Sequence, residues 1–126
     1  MHNNIAFLIL IFLISSCSSK KEKIVNLITN DKVKYWDIVD TTDKVKWGYS
    51  FSKNGTCLYY YYDGENICSR HIMDDDDLIY EDTWLLKNDS ILNFRSTDKK
   101  ILRLTEDTLL TEYKGKKLLL VKSKCN

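Results

Sequence analysis

The chain has no proline, and Ala6 is its only alanine. Only four glycines punctuate its 126 residues. Alanine is the best helix former, so a long helical domain would normally use it. The formal net charge is only +1, and lysines and carboxylates are interspersed, so no basic face or tail marks a nucleic-acid partner. No C-x-x-C spacing occurs, and after His2 the only histidine is His71, which argues against a structural zinc site. No nucleophile motif or glycine-rich phosphate loop accompanies His71. The expectation is a protein that binds rather than catalyses, without a cofactor. A run of aspartates, Asp74-Asp75-Asp76-Asp77, lies near Glu81 and Asp82. A calcium loop needs alternating ligands and a glycine at its sharp bend, so this segment reads as a solvated acidic loop.

What is present begins at the N-terminus. Residues 5–14 form an unbroken apolar run, too short for a mature membrane span and of the length of a signal-peptide core. The n-region before it carries no Lys or Arg. The following Leu13-Ile14-Ser15-Ser16-Cys17 resembles a bacterial lipobox. That resemblance implies cleavage after residue 16, lipidation of Cys17, and attachment to a membrane through several acyl chains, where one alone would hold only marginally. Residues 1–16 are then a signal peptide, 17–23 a lipidated tether, and 24–126 a single domain. Ser18 is compatible with sorting to the outer membrane, and Lys20-Lys21 favours its periplasmic face over the cell surface.

Three cysteines remain once Cys17 is used: Cys57, Cys68 and Cys125. Export places them in an oxidising compartment. The expected bridge is Cys57 to Cys68, on consecutive predicted strands. Cys125, at the C-terminus, is left free or paired between molecules.

The domain is rich in Tyr, Trp, Phe, Thr, Ile and Val, residues that suit strands. A short helical turn carries Ile24, Val25, Leu27 and Ile28 and ends at Asn30-Asp31. Strand signals follow closely. Residues 44–52 alternate strictly, with Val45, Trp47, Tyr49 and Phe51 on one face. Lys53-Asn54-Gly55 is a hairpin turn. A three-residue loop with Gly55 in the left-handed region would pair Phe51 with Cys57, Tyr49 with Tyr59 and Trp47 with Tyr61. A two-residue turn would instead bring Leu58, Tyr60 and Tyr62 to that face, and both registers remain open. Further strands are predicted over residues 34–39, 67–73, 78–86, 90–95, 100–105, 108–113 and 116–122. Tight turns at regular spacing give an antiparallel meander of about eight strands. Closure into a small up-and-down β-barrel removes its edges, and a two-sheet sandwich is the alternative.

The order Phe51-x-x-x-Gly55-Thr56, Trp84-x-Leu86, Leu92-x-Phe94 and Ile101-x-x-Leu104-Thr105-x-Asp107-Thr108-Leu109 resembles the small bacterial lipocalin-like lipoproteins over nearly all of the domain. The resemblance implies a lipid-anchored β-barrel at the outer membrane, with Trp36 as the tryptophan of the first strand and Leu27-Ile28 as the barrel-closing segment. The chain departs from the wider Gly-x-Trp signature, since Lys34 stands where that glycine would be.

An eight-stranded barrel is just wide enough to fill itself with side chains or to hold one small ligand. The candidate lining is Trp47, Tyr49, Phe51, Tyr59, Tyr61 and Trp84, and the expected ligand is a small apolar or amphipathic molecule. The competing expectation is a protein partner, met by the tyrosines of the run 59–62 that face outward from a self-filled barrel.

Overall fold

A computed structural model describes residues 19–39, 44–65, 68–73 and 82–126. One helix, α1 (Lys20–Thr29), precedes nine strands. These are β1 (Val33–Ile38), β2 (Val45–Ser52), β3 (Thr56–Asp63), β4 (His71–Ile72), β5 (Asp82–Asn88), β6 (Ile91–Phe94), β7 (Thr97–Leu104), β8 (Thr108–Tyr113) and β9 (Lys116–Lys122). All pairings are antiparallel. Eight strands form a closed up-and-down ring, because β1 pairs with β2 on one edge and with β9 on the other. The expected barrel is therefore present, and the sandwich is not.

The helix begins earlier than the sequence suggests. Ser19 caps it, its hydroxyl accepting from the Glu22 N–H at 3.1 Å, and Asn30 ends it in the left-handed region at φ 52°. Residues 20–23, expected as tether, are thus helical. The reason is local: Ser19 and Glu22 supply the N-terminal cap and first-turn charge, which extend the turn back to Lys20.

The hairpin between β2 and β3 takes the three-residue loop. Gly55 sits at φ 97°, and the register pairs Phe51 with Cys57, Tyr49 with Tyr59 and Trp47 with Tyr61. Of the strand expected over 67–73, the described residues 68–73 keep only His71–Ile72. β3 explains this, since its outer edge is shared. Thr56 and Cys57 pair with Thr83 and Asp82 of β5, whereas Tyr60 and Tyr61 pair with Ile72 and His71 of β4. The barrel wall therefore changes partner partway up β3.

The core gathers Trp36, Phe51, Cys57, Trp84, Leu86, Leu92, Phe94, Leu109 and Leu120, all inward-facing, with Ile28 from the helix. Fully burying one such side chain contributes about 1.5–3 kcal/mol. Phe51 stands edge-on to both Trp84 and Phe94, with centroids 5.9 and 5.2 Å away. The Trp84 indole N–H donates to the Ser52 carbonyl at 2.6 Å, so its one polar atom is satisfied. Trp84→Ala removes both the ring and that bond. It should lower unfolding free energy by about 3–5 kcal/mol in a denaturant titration. A loss below about 1 kcal/mol would place the ring outside the core.

Candidate functional site

The two ends of the barrel differ. One end is closed by α1. Ile24, Val25 and Ile28 pack on the core, and the Trp36 indole N–H donates to the Ile28 carbonyl at 2.9 Å. Lys34 is only 1% exposed. Its ammonium donates to the carbonyls of Leu27 and Glu106, at 3.1 and 2.7 Å, and lies 3.6 Å from the Glu106 carboxylate. It also sits 4.3 Å from the Trp36 ring centroid. Burial lowers its pKa, and Glu106 works against that shift. A cation against the last carbonyls of a helix is favourable, so Lys34 fastens the plug rather than opening a calyx.

The other end is lined by aromatic rings. All six predicted lining residues lie on the inner face, but they divide by depth. Phe51 and Trp84 belong to the buried core. Trp47, Tyr49, Tyr59 and Tyr61 are half-buried toward the mouth. Tyr49 stacks on Tyr59 at 5.0 Å and Tyr59 on Trp47 at 5.2 Å, with interplanar angles of 28° and 20°. Trp47 then meets Tyr61 at 5.2 Å, and Tyr61 stacks on His71 of β4 at 5.2 Å. Tyr49 also meets the core ring Phe94 edge-on at 5.3 Å. The result is an unbroken ladder of rings from the core to the rim. At the rim, Tyr61 and His71 border an open cleft of about 390 Å³ with Lys44, Val45, Asp63 and Glu65.

Arg95 faces this ladder. It lies in the turn between β6 and β7, where Phe94 pairs with Thr97 and both Arg95 (φ 52°) and Ser96 (φ 62°) are left-handed. Such a two-residue hairpin turn normally uses Asn-Gly, and the left-handed region costs other residues roughly 1–2 kcal/mol each. The guanidinium lies 5.2 Å from the Tyr59 ring centroid and 5.9 Å from that of Tyr49. Asp82 is its ion-pair partner, at a long 3.9 Å. Burial pushes the Tyr49 hydroxyl up to about 12, with Arg95 opposing, and raises Tyr59 as well. Sequence reasoning missed Arg95. Its only signal was a charged residue at a tight turn.

The outward face of β1, β2 and β3 holds a second, polar core. Tyr60 and Tyr62 are buried, at 0% and 3% exposure. Their hydroxyls both donate to the Asp37 carboxylate. Burial is the main cause of their raised pKa values, followed by those hydrogen bonds, and it carries Tyr62 up to about 12. Gly48 makes room, since a Cβ there would lie 2.3 Å from the Tyr60 hydroxyl. Arg70 covers the cluster. Its guanidinium is 4.0 Å from the Tyr35 ring centroid, and it donates to Ser123 Oγ and to the Cys125 carbonyl. The exposed outward tyrosines required by the protein-partner reading are therefore under cover.

The cysteines also depart from expectation. Cys68 bonds to Cys125, and Cys57 is a free, buried thiol. The predicted Cys57–Cys68 bridge fails because Cys57 points into the barrel, with burial pushing its pKa up to about 12. Cys68 lies just before Arg70 on the segment that covers the outer face, where the C-terminal tail returns. Cys17 and the acidic run Asp74 to Asp77 lie outside the described residues. Among the described residues no group of three or more His, Cys, Asp or Glu could hold a metal ion.

Comparison with protein-family models, curated proteins and solved structures found no match to this chain.

Two outcomes follow from the buried tyrosines and the disulfide. Between pH 10 and 12 the folded chain keeps protons on Tyr49, Tyr60 and Tyr62 that the unfolded chain releases, so stability is lost as pH rises through that window. Tyrosinate absorbance should show these hydroxyls ionising late. Eight tyrosines all ionising near pH 10 in the folded protein would contradict this. Cys125→Ser should cost about 2–5 kcal/mol and expose Cys68 to a thiol reagent, while Cys57 stays unreactive until unfolding. Peptide mapping that recovers Cys57 linked to Cys68 would refute the assignment.

Proposed function

We propose that this protein is a lipid-anchored lipocalin-like barrel that binds a small apolar or amphipathic molecule at its open mouth. One observation carries the reading. Four inward-facing aromatic residues, Trp47, Tyr49, Tyr59 and Tyr61, are only half-buried at one end of a barrel whose other end is filled and plugged. A barrel that served only as a scaffold would gain by burying that surface, since each square ångström of apolar area left in water forgoes about 25 cal/mol. A mouth that receives an apolar guest has reason to leave it open. Apolar walls with a few placed polar groups are what small-molecule sites use.

The anchor rests on the lipobox resemblance at Cys17, and it orients the barrel. Only two residues separate Cys17 from Lys20, where α1 begins, so the lipid and the plugged end lie within roughly 10 Å of one another. The plug then faces the bilayer and the mouth faces away from it, into the periplasm if the protein sits on the inner leaflet of the outer membrane. Binding, rather than catalysis, fits a mouth of stacked rings.

Mass spectrometry of the protein isolated from its native membrane tests both parts. The expected N-terminal peptide begins at an acylated Cys17, and denaturation should release a small molecule. Trp47→Ala should reduce the released amount about tenfold while lowering stability by less than about 1.5 kcal/mol, since the ring is only half-buried. An unprocessed N-terminus would remove the anchor. Identical extracts from the native protein and the variant would remove the mouth as a binding site.

A further inference from the structure

The ladder and the turn facing it also indicate the chemical class of the guest. Resting on the mouth-binding reading above, we infer that the site takes a planar aromatic anion, such as an aryl carboxylate, with its charge at Arg95 and its ring against the edges of the ladder. Three features of the site support this guest.

The first is the stacking. Tyr49, Tyr59 and Trp47 lie nearly parallel, with centroids 5.0 and 5.2 Å apart, so their faces are turned to one another. An incoming molecule meets ring edges. An aromatic ring carries its positive quadrupole at the edge and its negative one on the face. Edges therefore accept the face of a flat, electron-rich ring in a T-shaped contact. A flexible acyl chain would gain nothing from that polarity.

The second is the charge. The Arg95 guanidinium lies over the deep half of the ladder, and its carboxylate partner Asp82 is 3.9 Å away, beyond hydrogen-bond distance. Lys99 adds a second cation on the same inner wall. Its ammonium donates to the Phe94 carbonyl at 2.6 Å and has no carboxylate within ion-pair reach among the described residues. Two cations against one carboxylate leave this part of the wall electropositive. The carboxylates Asp63 and Glu65 lie instead at the rim, so a guest would enter with its charge inward. The hydroxyls of Tyr49 and Tyr59 have no hydrogen-bond partner among the described residues, and they remain protonated donors at neutral pH.

The third is the turn. Arg95 and Ser96 adopt left-handed backbone in a loop where glycine and asparagine would be at ease. Strain of this kind clusters at functional sites, and here the turn holds Arg95 above Tyr59. An arginine can present two parallel donors to one carboxylate, a geometry that a lysine cannot match.

Calorimetry on the full chain in zwitterionic phosphatidylcholine nanodiscs tests the assignment, with empty nanodiscs subtracted. The probes are 2-naphthoate and its neutral isostere 2-naphthamide. Naphthoate should bind at least about tenfold more tightly, and Arg95→Gln should weaken naphthoate far more than naphthamide, removing most of that preference. Its far-ultraviolet circular dichroism should match that of the native protein, because Arg95 is exposed in a turn. Raising the salt concentration should weaken naphthoate alone, which checks the charge without any substitution. Equal binding of the two probes overturns the anionic class while leaving the mouth as an apolar site. A preference that survives Arg95→Gln overturns the role of that residue. Failure of both probes to bind above empty nanodiscs removes the mouth-binding reading itself, and this inference with it.

Discussion

Three residue pairs join the first strand to the last: Trp36 with Lys122, Asp37 with Val121, and Ile38 with Leu120. Through them the meander becomes a ring, and only a ring has an inside. Strand β1 then serves both faces by simple alternation. Its inward residues Lys34 and Trp36 fasten the helical plug, one to Leu27 and the other to Ile28. Its outward residue Asp37 collects the hydroxyls of Tyr60 and Tyr62. A slip of one residue along β1 would exchange the two sets and disable both. The register of this closing strand is thus the constraint on which plug, core and outer cluster all depend.

Closure also sets up the asymmetry between the two ends of the barrel. At the plugged end, large rings and aliphatic chains fill the interior, and the Lys34 ammonium donates to the Leu27 carbonyl near the end of the helix. Toward the mouth, β3 leaves β5 and takes the two-residue strand β4 instead. Part of the wall there is the β2–β3 hairpin, whose inward cross-strand pairs Trp47–Tyr61 and Tyr49–Tyr59 are aromatic. Such pairs stabilise a hairpin by roughly 0.2–1 kcal/mol each even when partly wet. The same rings can therefore support the fold and still offer surface to a guest.

The outer face couples to the mouth through a short path. The disulfide Cys68–Cys125 and the Arg70 contacts to Ser123 and Cys125 hold the segment that becomes β4. That strand places His71 against Tyr61, the last tyrosine of the ladder. The Arg70 guanidinium is half-buried, and aromatic faces with acceptors on Ser123 and Cys125 replace part of its water. The polar outer core is thus more than a cover for two tyrosines, since it also fixes one wall of the mouth.

Much of this was legible in the chain. Strict alternation over 44–52 fixed which face of β2 turns inward, and tight turns at regular spacing indicated a meander. Trp36, Trp84, Leu92 and Phe94 were readable as core, because a period of two in a half-buried strand reports the face directly. The choice between the two hairpin registers was not legible, since a run of four tyrosines looks the same on either face. Nor was the disulfide, because proximity in sequence said nothing of a C-terminal tail that returns across the outer face. Local chemistry determined the strands, their turns and the aromatic inventory. Tertiary structure alone decided that Tyr60 and Tyr62 are buried outside the barrel, that Cys57 is shut inside it, and that Arg95 faces the ladder, because each depends on which distant strands the closing ring brings together.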